Sequence, residues 1–237
     1  MSHHTPGRHA LRRPNRTPRR RVVALVVGVV VVVVLVIAIG GHDSVSGRAV
    51  PVPRPPEPGW STLIDPDSGL SYRIPPTGWT TNPTVGTAGS VTLTQGALLP
   101  AYTCGNPIER LQRGILGSGS APRTDPAALA DAVATAAANQ YYRSGATAPT
   151  VKLDPAQPVR RQTGKGTTLT GVLVRATVTQ HTDACLASEG EVLVFVLQFS
   201  DHDGVLVVNG DLAGGPASPA PATDASLRAI VDTAQPT

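Results

Sequence analysis

Aromatic residues are scarce in this sequence of 237 residues, and the common catalytic motifs are missing from it. Phe, Trp and Tyr together make up 3% of the chain, so a core has to be built from Val, Leu, Ile and Ala. Neither the GxxxxGK(S/T) nor the GxGxxG pattern of phosphate-binding loops occurs, and the GxSxG and HExxH patterns of hydrolases are absent. The Gly-rich segments GILGSGS and GKG are therefore interpreted as turns.

Acidic residues are missing from the first 21 positions, although that segment is strongly basic. Its seven arginines are Arg8, Arg12, Arg13, Arg16, Arg19, Arg20 and Arg21. With these set aside, 13 basic residues remain against 16 acidic ones, so the formal net charge of +4 comes from the tail. A nucleic-acid-binding face needs Lys and Arg clustered on the folded domain, so no nucleic-acid partner is predicted.

Charged residues are also missing from residues 22–41, VVALVVGVVVVVVLVIAIGG. A helix of this length spans about 30 Å, the thickness of the hydrocarbon core of a bilayer. The run predicts a transmembrane helix, and the arginines before it predict a cytoplasmic N-terminus. A cleaved signal peptide is the alternative, with Ala38-Ile39-Gly40 as its cleavage site, but signal peptides have shorter apolar regions. No cysteine lies directly after the run, so a lipoprotein anchor is not expected.

These features divide the chain into four predicted parts. They are a basic cytoplasmic tail (1–21), a transmembrane helix (22–41), a Pro-rich linker (42–59) and an extracytoplasmic domain (60–237). The linker is expected to be an extended, semi-rigid spacer, because Pro-rich segments favour the polyproline conformation.

The hydrophobic pattern of the outer part predicts an α+β fold. Apolar alternation predicts strands at residues 69–74, 91–93, 159–163, 167–180, 191–200 and 205–209. Asp125-Pro126 predicts the start of an Ala-rich helix, and Asp224 the start of a C-terminal helix. Residues 191–200 are apolar on both faces, which favours a strand at the centre of the sheet. The predicted ectodomain is an antiparallel sheet with an inserted Ala-rich helix and a C-terminal helix.

Two cysteines, Cys104 and Cys185, both fall in the part predicted to lie outside the membrane. An even count in an oxidising compartment predicts a disulfide, which would close about 80 residues and stabilise the fold by about 4 to 5 kcal/mol. The alternative is a metal site formed by His181, Asp183 and both cysteines. No second CxxC or HxxxH pattern completes such a site, so no metal and no cofactor is predicted.

His181 and His202 are the histidines of the predicted domain, so a Ser-His-Asp hydrolase would have to use one of them. His202 lies in a turn between two acids, and His181 begins a polar loop. Trp60, Trp79 and Tyr72 are interpreted either as a ligand platform or as pieces of the core edge. The sequence therefore predicts a domain that is not an enzyme.

The ectodomain resembles a family of uncharacterised actinobacterial single-pass membrane proteins with an extracytoplasmic domain of unknown function. The resemblance covers residues 69–237 and rests on LSYRIPPTGW, Tyr102 before Cys104, the helix ending in Tyr141-Tyr142, Cys185 before an apolar strand, and DASLRAI. It implies the topology and the disulfide, and it supplies no catalytic residues. A more distant likeness is to PsbP-like domains, which are small α/β sandwiches usually used for binding.

The first hypothesis is a membrane-anchored, non-enzymatic domain that binds an envelope protein, a polysaccharide or a small ligand. An envelope hydrolase using His181 or His202 is the second hypothesis. A third is a ligand sensor that acts through a partner, because the tail has no recognisable output domain.

Overall fold

The computed structural model describes residues 58–105, 109–181 and 183–237. The strands are β1 (Ser61–Asp65), β2 (Leu70–Ile74), β3 (Thr80–Asn82), β4 (Gly86–Ala88), β5 (Val91–Leu93), β6 (Gln95–Leu98), β7 (Ala101–Cys104), β8 (Glu109–Gln112), β9 (Gly114–Pro122), β10 (Thr150–Leu153), β11 (Gln157–Gln162), β12 (Thr168–Thr179), β13 (Ala187–Gln198), β14 (His202–Gly214) and β15 (Gln235–Pro236). The helices are α1 (Pro126–Tyr142) and α2 (Asp224–Asp232).

A large antiparallel sheet organises the domain. Its strand order is β10-β12-β13-β14-β9-β6-β3, and β11 also pairs with β12, beside β10. A small antiparallel sheet has the order β1-β2-β15, and two short ribbons pair β4 with β5 and β7 with β8. The long strands β12, β13 and β14 form the middle of the large sheet, as the apolar run at residues 191–200 predicts.

The two faces of β13 build two separate cores. Its valines face α1, whose alanines lie directly on the sheet. Its other face packs against α2 and the small sheet. The side chains of β13 on the first face are Val192, Val194 and Val196, and those on the second are Leu193, Phe195 and Leu197. The domain therefore has layers on both sides of one central sheet.

Side-chain caps start both helices. The Asp125 side chain accepts a hydrogen bond from the Ala127 amide at 3.1 Å, and Pro126 occupies the first turn of α1. Helix α2 is capped by Thr223, whose hydroxyl accepts from the Ser226 amide at 3.2 Å. The predicted Asp125 cap is confirmed, whereas the cap of α2 lies one residue before the predicted Asp224.

The predicted α+β class was wrong. Strands make up 51% of the described residues and helices 15%, so this part of the chain is mostly β. Neither helix within the described ranges is long and apolar enough to cross a membrane. The predicted transmembrane helix (22–41) and the tail with its seven arginines lie outside the described residues.

One segment interpreted as a turn is a strand. The residues GILGSGSAP form β9, which pairs with β14 and β6 inside the large sheet. Its glycines allow close packing: a Cβ atom on Gly119 would lie 2.0 Å from the carbonyl oxygen of Thr92. The predicted turn at residues 164–166 is confirmed, since it connects β11 and β12.

Candidate functional site

The two cysteines are joined, as predicted. Cys104 at the end of β7 forms a disulfide with Cys185, with the Cα atoms 5.5 Å apart. The Tyr102 hydroxyl donates a hydrogen bond to the Cys185 carbonyl at 2.8 Å, which holds the same two segments together. The disulfide links the β7–β8 ribbon to the loop before β13.

The residues of the alternative metal site do not act together as ligands. Both sulfur atoms are used in the disulfide, and the Asp183 carboxylate accepts hydrogen bonds from the Cys185 amide at 2.8 Å and the Ser144 hydroxyl at 3.3 Å. His181 is exposed. Residues 58–105, 109–181 and 183–237 contain no group of three or more His, Cys, Asp or Glu side chains placed to hold a metal ion.

His202 has a contact for each ring nitrogen. Nδ1 lies 2.9 Å from the Asp201 carboxylate, and Nε2 lies 3.3 Å from the Ser68 carbonyl oxygen. The ring stacks on Phe199, with 4.8 Å between ring centroids. These contacts fix the turn between β13 and β14 against the turn between β1 and β2.

The aromatic residues singled out in the sequence belong to the core and its edge. Tyr72 is fully buried, and its hydroxyl donates to the Gln95 carbonyl at 2.7 Å. Burial raises the pKa of this phenol above its ordinary value. Trp60 and Trp79 are partly buried and pack against the core on the α2 side of the sheet. The interpretation as core-edge pieces fits these positions.

An ionic cluster joins β12, β13 and α2 around the buried carboxylate of Glu191. Arg175 on β12 donates from Nε to Oε1 of Glu191, and Arg228 on α2 approaches the same oxygen at 3.7 Å. Asp224 accepts from Nε of Arg228 at 3.0 Å and lies 3.4 Å from Nη2 of Arg175. Both arginines are partly exposed, whereas the Glu191 side chain has no exposed surface. The cluster clamps α2 onto the sheet.

The second oxygen of the Glu191 carboxyl group is left without a partner within the described ranges. Oε2 is buried and has no hydrogen-bond partner in the described residues. Burial raises the pKa of Glu191 to about 7, and the neighbouring Asp224 adds to the rise, although Arg175 opposes it. Burial alone would raise the pKa of Asp224, but Glu191, Arg228 and Arg175 lower it overall. The opposite shifts make Glu191 the more readily protonated of the two carboxyl groups.

A second cluster on the other side of the sheet surrounds Arg113, which has no exposed surface. Its guanidinium lies 4.4 Å from the ring centroid of Tyr102 and donates to Asp211 at 3.1 Å. Its remaining donors bind the carbonyl groups of Gly214, Pro216 and Pro219. Burial raises the pKa of Asp211 to about 6, while Arg113 and Tyr142 act in the opposite direction. Arg113 therefore anchors the loop after β14.

Three of the four edges of the two sheets are protected against further strand pairing. At one edge of the large sheet, β10 and β11 carry exposed Lys152, Pro158 and Arg160, which oppose the addition of a strand. At the other edge, β3 has only three residues and is followed by Pro83. The β15 edge of the small sheet lies beside β11, where Arg161 donates to the Ala234 carbonyl at 2.7 Å.

Within the described residues, the fourth edge, β1, has none of these protections. Among the described residues its pairing partner is β2 alone, and its sequence STLID contains neither Lys nor Pro. Leu63 and Asp65 point inward, and Asp65 accepts from the Ser118 hydroxyl at 2.7 Å. Ile64 points outward and is 56% exposed. Large apolar side chains are otherwise buried or partly buried in the described part of the chain. A firmly anchored strand thus presents an unprotected edge with an apolar residue on it.

Sequence reasoning missed Glu191, Asp211 and Arg113 as members of buried clusters. A charged residue at the start of the apolar run EVLVFVLQFS was a signal for Glu191, because an ionised group in such a strand needs a partner. Arg113 and Asp211 are 98 positions apart, and no local pattern connects them.

The family described as a domain of unknown function, DUF8017, matches residues 53–237. The chain belongs to the DUF8017 family. The match confirms the prediction of a domain of unknown function, while the actinobacterial source and the PsbP-like relationship stay predictions. No curated protein matches this DUF8017 chain.

A crystal structure from Bacteroides thetaiotaomicron VPI-5482 is similar to this DUF8017 chain, with 9% identity and a TM-score of 0.38. The similarity covers 76% of this chain and 49% of that one, so this chain spans about half of that protein's length. A likeness at this level carries no argument about function.

Proposed function

We propose that this DUF8017 protein is a non-enzymatic interaction domain tethered to the outer side of a cell membrane. The observation that supports the interaction is the open edge of β1. The inward side chains of β1 pack on the core, and within the described residues the strand pairs with β2 alone and contains neither Lys nor Pro. Exposed strand edges present unpaired N–H and C=O groups that bind an extended segment of another chain. The partner class is therefore a protein strand, in preference to a polysaccharide or a small ligand.

The tether is inferred from the sequence. Residues 22–41 are long and apolar enough to cross a bilayer, and the seven arginines before them favour a cytoplasmic N-terminus. The Cys104–Cys185 disulfide supports an oxidising compartment for the domain, because disulfides are rare in the cytosol. The hydrolase and sensor alternatives stay predictions.

The interaction is tested by photo-crosslinking in intact cells that produce the full chain. The variant Thr62→p-benzoylphenylalanine places the probe on the outer face of β1, and the same probe at Thr81 on β3 is the matched control. We expect an adduct from position 62 that Ile64→Lys removes, because a lysine on the edge strand opposes pairing. No adduct from position 62, or equal adducts from both positions, would contradict the proposal.

The tether is tested separately by fractionation and protease access. The full chain should stay with membranes after alkaline carbonate extraction, and protease added outside the cell should cleave the domain. Placing lysines at Val32 and Val33 should release the chain into the soluble fraction, because each charge at the helix centre costs about 2.5 to 3.5 kcal/mol. A soluble parent chain, or a domain protected from outside protease, would refute the predicted location.

A further inference from the structure

We propose that the open edge of β1 pairs with β1 of a second copy of this chain. Two small sheets of three strands would then join into one antiparallel sheet of six. This inference rests on the proposed interaction function and names the partner for it. A two-fold axis is the commonest symmetry of protein dimers, and an axis perpendicular to the strand places β1 antiparallel to itself.

The length of β1 selects one register. Leu63 is the middle residue of the five-residue strand, so pairing centred on Leu63 uses all five positions. Centring on Thr62 or Ile64 would leave only three paired residues. A shift by one residue would place the outward Ile64 opposite the inward Leu63, which mixes the two faces of the sheet.

The Leu63 register is self-complementary. Ser61 of one copy lies opposite Asp65 of the other, so the two carboxylates lie at opposite ends of the pair and do not repel each other. Thr62 of one copy lies opposite Ile64 of the other, on the same outer face. The two-fold axis produces two such Thr62–Ile64 pairs. Such β-branched pairs contribute about 0.2 to 1 kcal/mol each, and they cover the exposed Ile64 side chain.

The size of the contact sets where pairing is expected. One pair of five-residue strands makes a small interface, below the roughly 1,000 Å² that stable complexes in solution need. Copies held by their tethers on one membrane meet at a much higher effective concentration than free domains. The dimer is therefore expected on membranes and not in dilute solution.

The test uses the purified full chain in vesicles of phosphatidylcholine and phosphatidylglycerol. The variant Thr62→p-benzoylphenylalanine is mixed with an excess of acceptor chains carrying a tag of different mass, either wild type or Ile64→Lys. On illumination we expect a covalent dimer with the wild-type acceptor, with the linkage in residues 61–65 of the acceptor. The yield should fall at least tenfold with the Ile64→Lys acceptor and with the probe moved to Thr81.

The possible results separate the two proposals. If no dimer forms, or if both acceptors react equally, self-pairing is wrong. If position 62 captures a different protein in cells while the vesicles give no dimer, the interaction function stands and the second copy is not its partner. If position 62 gives no adduct in cells or in vesicles, both proposals fail. Thermal unfolding of Ile64→Lys should match wild type, because position 64 is exposed.

Discussion

Arg175 and Glu191 form an ion pair between neighbouring strands in which the carboxylate is fully buried and the guanidinium is partly exposed. The pair also holds helix α2 in place, because Asp224 and Arg228 of α2 contact Arg175 and Glu191. The cluster therefore couples the position of a helix to the protonation of one buried group.

Stability should decrease with rising pH because of Glu191. The pKa of its carboxyl is about 7 in the fold against an ordinary value of 4.5. Between these values the folded chain binds more protons than the unfolded chain, so the free energy of unfolding falls as pH rises. We expect about 2 kcal/mol less stability from this group at pH 8 than at pH 5, measured by urea denaturation.

Glu191→Gln is the decisive variant for this effect. The glutamine carbonyl can accept from Arg175 and its amide is neutral, so the variant imitates the protonated acid without titrating. The difference in pH dependence between wild type and Glu191→Gln should equal the Glu191 contribution. The exposed Glu189→Gln on the same strand is the control and should keep the wild-type slope. Identical slopes for wild type and Glu191→Gln would refute the raised pKa of Glu191.

Removal of the buried Arg113 side chain should destabilise the domain severely. Arg113→Ala leaves the Asp211 carboxylate buried without its cation and frees the loop held by its other hydrogen bonds, so a loss of about 3 to 5 kcal/mol is expected. Arg110→Ala, at an exposed position on β8, should change stability by no more than about 0.5 kcal/mol. Equal effects of the two variants in urea denaturation would show that the Arg113 cluster does not stabilise the domain.

Loss of the disulfide should lower the free energy of unfolding by a similar amount. Cys104 and Cys185 are 81 positions apart, and closing a loop of this length restricts the unfolded chain by about 4 to 5 kcal/mol. The Tm of Cys104→Ser/Cys185→Ser should match that of the reduced wild type, and both should lie well below that of the oxidised wild type. An unchanged Tm after complete reduction would contradict this expectation.

Gly190 should not tolerate a side chain. A Cβ atom at this position would lie 2.2 Å from Cζ and the hydroxyl oxygen of Tyr142, which is buried behind it. We expect Gly190→Ala to destabilise the domain by about 1 to 3 kcal/mol. Adding Tyr142→Leu should make the combined loss smaller than the sum of the two single losses. Gly164→Ala, whose Cβ meets nothing within 4 Å, is the control.

The sequence allowed the central strands to be predicted because their apolar residues are continuous. The segment that became β13 is apolar on both faces, and the structure covers both faces. The Ala-rich helix was predictable because its Asp125-Pro126 start is a local helix signal in the sequence. The class was wrong because several strands are short or rich in glycine and polar residues, so their pattern does not distinguish them from loops.

Strand β9 shows why those strands were missed. Its glycines resemble a flexible loop in sequence, yet Gly117 and Gly119 lie where neighbouring segments leave no room for a Cβ atom. That requirement depends on residues from elsewhere in the chain. The candidate interaction edge was missed for a similar reason, because a free strand edge is defined by the sheet around it and not by STLID alone.

Amide hydrogen exchange along β1 of the full chain in vesicles tests the central claim most directly. The amides of residues 61–65 should exchange more slowly as the density of protein in the membrane rises, while those of the protected strand β10 should not change. Ile64→Lys should abolish the density dependence. Exchange along β1 that is independent of density and identical in wild type and Ile64→Lys would contradict self-pairing at this edge.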